Sequence, residues 1–176
     1  MKKDISFWQF AGFAFTSLSG TILHFLYEWT NQNIFTAPFS GVNESTWEHM
    51  KLLYFPMLIT ALIQSLIFKE YKNFWCIKLL GTVSGLILIP VIFYTYNGAF
   101  GKSPDWFNIS IFFISAAISF ILETKLFKSE KVGCKCSKAA ISLMVVLGLS
   151  FIIFTFRTPQ IPLFKDPVTG LYGINN

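Results

Sequence analysis

The chain has 176 residues, of which 53% are hydrophobic and only 13% charged. Its mean hydropathy is +0.56. A water-soluble domain of this size carries about a quarter charged residues, so the composition excludes an ordinary soluble fold and points to lipid as the solvent. The net charge of +5 does not indicate nucleic acid, because the basic residues sit in short clusters beside apolar runs, as they do at the cytoplasmic edge of a membrane protein.

Five apolar segments follow one another, at about Ile5–Tyr27, Lys51–Phe68, Trp75–Tyr96, Phe107–Phe127 and Ala139–Phe156. Each is close to the ~20 residues that cross about 30 Å of hydrocarbon. The fold class expected is therefore all-α, a five-helix transmembrane bundle forming a single membrane domain over residues 1–176, with the lipid bilayer as its partner. Lys2 and Lys3 could open a signal peptide, but the segment is too long and the residues after it form a poor cleavage region; it reads as a retained helix. Pro56 falls near the start of the second segment, and Pro90 late in the third should kink it.

Orientation comes from the lysines. Ten of the 14 basic residues fall at the N-terminus and around the second and fourth connections, and four fall on the other side. That bias places the N-terminus in the cytoplasm and the C-terminus outside. Cys76, Cys134 and Cys136 then lie on the reducing side, where no disulfide is expected. Gly81 and Gly85 make a G-x-x-x-G that suits helix contact. Ser115 and Ser119 give the fourth helix a small polar stripe, and Glu123 is placed either to pair across helices with Lys78 or to snorkel to the membrane surface. Thr60 and Gln64 form the polar face of the second helix, placed to meet Thr21 and His24.

Candidate chemistry gathers at the outer side. Ser17, Thr21, His24 and Glu28 are spaced to share one face of the first helix. The outer loop, 28–50, ends in Asn43-Glu-Ser-Thr-Trp-Glu-His-Met-Lys51. Ser45 followed by Glu48 three residues later is a capping box, with Asn43 as an alternative cap, so a helix should start there. Trp29 and Trp47 suit the headgroup region. The candidate ligand-binding set is His24, Glu28, Glu44, Glu48 and His49. A divalent metal at His24, Glu28, Glu48 and His49 is the cofactor this residue chemistry admits. The outer tail, 158–176, is too apolar for a free end; it should either fold back over the outer mouth, bringing Asp166 or Tyr172 toward the cluster, or rest on the lipid headgroups. Asn43, Ser45, Pro56, Gly81 and Gly85 are read as structural.

The segment NESTWEHMKLLYFP, with FAGFAFTSLSGTILHFLYEW before it and PLFKDPVTGLYGI in the tail, resembles a family of small bacterial membrane proteins of unknown function, DUF6512. The resemblance covers nearly the whole chain, and NESxWEH is its most specific part. It implies a multi-pass protein of the bacterial cytoplasmic membrane, with no activity or catalytic residues to carry over. Two functional classes stand. In one, the outward-facing His/Glu cluster binds a small ligand or ion, or locks the outer loop. In the other, a membrane-embedded metal-dependent hydrolase acts on a lipid-linked substrate at the outer face. Whether the protein is an enzyme is left open, as are a homo-oligomer and a membrane partner protein.

Overall fold

A computed structural model describes residues 4–129, 133 and 137–174. Five long helices occur in chain order: α1 (Ile5–Trp29), α2 (Thr46–Ile67), α3 (Phe74–Phe100), α4 (Asp105–Lys128) and α5 (Ser137–Phe156). All five are long and apolar enough to cross a membrane, and the protein is a multi-pass helical membrane protein. A short 3-10 turn, Pro162–Phe164, follows α5. One end of the bundle carries the 30–45 connection and the tail; it is called the loop face here. The other carries the N-terminus and the 68–73 connection and is called the lysine face.

The starts of α1 and α2 have a local cause. Asp4 caps α1, its carboxylate accepting from the Ser6 and Phe7 amides. Ser45 caps α2, its hydroxyl accepting from the Glu48 amide, as the capping box anticipates. The helix therefore starts at Thr46, five residues before the apolar run at Lys51. Asn43 serves the same turn: its Oδ1 accepts from the Ser45 amide, and its Nδ2 donates to the Gly173 carbonyl of the tail.

The second helix is the hub. It touches α1, α3, α4, α5 and the 3-10 turn, and it has more buried residues than any other helix. Apolar burial does not drive association inside lipid, so close packing and polar contacts must supply it. They are visible. Gly12 of α1 faces Thr60 and Gln64 of α2 and Phe120 of α4. Gly81 and Gly85 of α3 make room for Glu123 and Ser119 of α4. Tyr54 of α2 donates to the Met144 carbonyl of α5 and lies against Gly148. Trp47 packs on Phe151 and Phe164 at ring separations of 4.4 and 4.6 Å.

Several details differ from expectation. Trp47 is buried in that aromatic stack rather than placed among headgroups; Trp29 is exposed. The face of α1 that turns inward carries Gln9, Gly12, Thr16 and Gly20, beside the one carrying Ser17 and Thr21. Gln64 therefore meets the first turns of α1, where its Nε2 donates to the Trp8 carbonyl at 2.7 Å, instead of Thr21 and His24. Cys76 is disulfide-bonded to a partner outside the described residues, against the expectation of free thiols. Cys134 and Cys136 lie outside them.

Candidate functional site

The last turns of α1 hold His24, and the 30–45 connection is what fixes them. Ser40, fully buried, bridges two backbone groups of α1. Its hydroxyl donates to the Leu23 carbonyl at 2.6 Å and accepts from the Tyr27 amide at 2.8 Å. These are the two groups that close a helical turn, and His24 lies within it. The Gly41 amide donates to the same Leu23 carbonyl. The loop is thus built into the helix, and it returns to α2 with Glu44 and His49 already facing His24.

Three side chains converge. His24 Nε2 stands 3.6 Å from Glu44 Oε1, and His49 Nε2 stands 3.6 Å from Glu44 Oε2. The two imidazole rings are 5.5 Å apart. One ligand atom from each of the three residues fits within a 4.8 Å span. His49 Nδ1 lies 2.9 Å from the Ser45 carbonyl. A carbonyl only accepts, so Nδ1 carries the proton, and in the neutral ring Nε2 turns a lone pair toward Glu44. Metal-binding histidines are oriented in this way, by a hydrogen bond from the second ring nitrogen to a backbone carbonyl.

The separations also suit a shared cation. Ligands at about 2.1 Å from a tetrahedral ion lie about 3.4 Å from one another; each histidine stands 3.6 Å from a different oxygen of Glu44, and with one atom taken per residue the three lie within 4.8 Å of one another. Glu44 is half-exposed, and the His24 imidazole beside it holds its carboxyl below the usual carboxylate range, outweighing the opposite effect of burial. It is therefore ionised and ready as a ligand near neutral pH.

The cluster lies in the wall of a cavity of about 460 Å³. Leu52, Ile89, Phe93 and Phe112 supply apolar wall, and Asp105 and Asn108 of α4 add polar groups. Pro167 and Val168 of the tail also line it. The tail does fold back over this face, but Asp166 accepts from the Val168 and Thr169 amides in its own turn and does not join the cluster.

Of the five residues singled out by sequence, three come together: His24, Glu44 and His49. Glu28 is exposed one turn further along α1 and is not one of the convergent three. Glu48 turns the other way, into a buried pair with Lys51 at 2.5 Å. Its Oε2 also accepts from the Val42 amide. The metal set read from sequence thus included Glu48 where the structure brings Glu44. Both precede His49 closely, and the cap decides between them. Glu48 falls in the first turn of α2, facing the core, while Glu44 lies just before the cap, facing out. Asp105 and Asn108 also line the cavity, a place with no signal in the sequence beyond polar residues at the start of an apolar helix.

Comparison with curated proteins and with solved structures returns no match. A family model described as "Family of unknown function (DUF6512)" matches residues 1–174, and the chain belongs to that family.

Proposed function

We propose that the loop face is an outward-facing binding site in which a divalent cation, held by His24, Glu44 and His49, receives the polar head of an amphipathic ligand. The observation that carries this reading is the convergence of the three residues in the wall of a largely apolar cavity. Two imidazoles and a carboxylate are a set that zinc favours, and three protein ligands leave a coordination position for a ligand atom. The apolar walls suit an acyl or isoprenoid chain. The lysine bias supports placing this face outside a bacterial cytoplasmic membrane.

A second reading rests on that open position. A bound divalent ion there would polarise an ester or phosphoester oxygen of a lipid-linked substrate and lower the pKa of a bound water. Asp105 and Asn108, which line the same cavity, would then be available to bind the remaining polar groups.

The test is metal analysis by mass spectrometry on protein purified mildly without chelator, comparing the native chain with His24→Ala and Glu44→Gln. Near-stoichiometric zinc or another divalent ion, lost in both variants, is expected. Protein that stays metal-free after zinc re-loading, with native thermal unfolding, would sink the cation and leave the cluster as a lock on the loop.

A further inference from the structure

The loop-face cavity has a floor. Gly20 of α1 lies against Phe112 of α4, and Gly12 lies against Phe120. The steps from Gly12 to Gly20 and from Phe120 to Phe112 are equal and opposite in sequence, so the two helices run antiparallel and in close contact over this stretch. Among the described residues, none of α1 before Gly20 and none of α4 after Phe113 lines the cavity. His24 stands one turn above the floor, about 6 Å along the helix axis. One leaflet holds about 15 Å of hydrocarbon, half the thickness of the bilayer core. A lipid chain hanging below a head at His24 is therefore longer than the room beneath it.

The chain has to leave sideways, and the wall allows it. Thr21 and Phe25 of α1 and Ile109 and Phe113 of α4 line the cavity and are also exposed. Both helices are long and apolar enough to cross a membrane, so exposure at these positions is exposure to lipid. Phe25 stacks on Trp29, a residue type enriched at the headgroup level. Above the Gly20–Phe112 contact the gap between α1 and α4 thus opens to the bilayer. The charges of the lining choose the head. Glu44 and Asp105 are present, and no Lys or Arg. Asp105, the first residue of α4, has no ion-pair partner among the described residues. A bare phosphate would meet two carboxylates. A phosphate held by a cation, with an ammonium beyond it, would meet an opposite charge at each end.

We propose that the gap between α1 and α4 is a lateral doorway through which an aminophospholipid of the surrounding leaflet docks. Its phosphate lies at the His24, Glu44 and His49 cation, its ammonium lies at Asp105, and its chains stay in the bilayer. The phosphate contact rests on the cation proposed above; the doorway and the Asp105 contact do not.

The experiment is photo-labelling of the full chain in vesicles of phosphatidylglycerol. The vesicles are doped with a phosphatidylethanolamine or a phosphatidylglycerol carrying a diazirine near the head of one chain, and crosslinks are mapped by peptide mass spectrometry. The ethanolamine probe should label Leu52 and Ile89, which are buried cavity residues. It should also label Val146 and Leu149, which are exposed on α5 and report the surrounding lipid. Ile109→Trp fills the doorway and should cut labelling of Leu52 and Ile89 about tenfold, with α5 labelling unchanged. Thr21→Trp closes it from the opposite side, should Ile109→Trp fail to fold. The glycerol probe should label the two buried residues about tenfold less than the ethanolamine probe, the weight of one hydrogen bond between charged groups. Asp105→Asn should erase that difference. Labelling confined to exposed residues, labelling of Leu52 and Ile89 that survives both tryptophans, equal labelling by the two probes, or a head preference kept in Asp105→Asn would overturn the proposal. Metal content on the same preparation separates the doorway from the cation. Metal without labelling of Leu52 and Ile89 removes the docked lipid alone, and labelling without metal removes the cation alone.

Discussion

Glu48 and Lys51 form one buried pair near the loop face; Glu123 and Lys78 form another near the lysine face. Composition and separation are alike, and the surroundings are not. Lys51 also donates to the Ala37 carbonyl and to Thr155 Oγ1, and Glu48 also accepts from the Val42 amide. No atom of that pair is among the buried polar atoms without a partner. It ties three segments, the loop, α2 and α5, at one point. The deep pair instead joins α3 to α4, with only the Gln9 side chain of α1 beside it. Buried ion pairs seldom add net stability. One bonded to backbone and hydroxyl groups of three segments fixes geometry at that point.

The comparison can be broken most directly at Lys51. Lys51→Met leaves Glu48 as an unpaired buried acid and removes two further hydrogen bonds, so a loss of about 3–5 kcal/mol is expected, read as thermal or denaturant unfolding in detergent. Combining it with Glu48→Leu should restore most of that loss. Lys78→Met should cost less, because no comparable set of backbone and hydroxyl acceptors is lost with it. Equal losses at the two lysines would erase the distinction between them.

A smaller effect is expected at Ser40. Ser40→Ala removes the bridge between the Leu23 carbonyl and the Tyr27 amide, a loss of about 1 kcal/mol. The same substitution should weaken any cation bound at His24, through displacement of its turn. Unfolding and metal titration on one preparation would show whether the two losses travel together.

The smallest effect concerns pH. The folded-state pKa of Glu44 is lowered, so its contribution to stability is present above the unfolded value near 4.5 and is lost as pH falls through the depressed folded value. Glu44 is half-exposed, and solvent screening keeps the term small. Glu44→Gln should flatten the acid limb of the stability curve while leaving the limb above neutrality unchanged. An acid limb identical in the two proteins would remove Glu44 from the ionic network.

Helix number and order were legible in the sequence because the apolar runs are long and the charges few. The start of α2 was legible too, since Ser45 and Glu48 carry a local capping rule. The partner of the two histidines was not. Glu48 is next to His49 in sequence and Glu44 is five residues before it, yet the cap at Ser45 turns Glu44 outward and Glu48 into the core. Helical periodicity placed Thr21 and His24 on a common face. It could not say that the adjacent face, with Gln9, Thr16 and three nearby partners on other helices, is the one that is buried. Depth and charge left Glu123 either to pair with Lys78 or to snorkel, and the structure has the pair. The approach of Gln9 to it depends on the rotation of α1, which no single segment specifies.

Ser40 spans the same backbone gap that a helix normally closes for itself. A connection of this length usually behaves as slack, tolerating inserted residues, fused tags and nicks. Here it does not: lengthening the chain between Thr30 and Ser40 would pull a hydroxyl out of α1, and cutting it would release the last turn of a membrane helix. An epitope or fluorescent-protein fusion therefore belongs in another connection, and a protease that cleaves this loop would act on the protein as an off-switch rather than as a trimming enzyme.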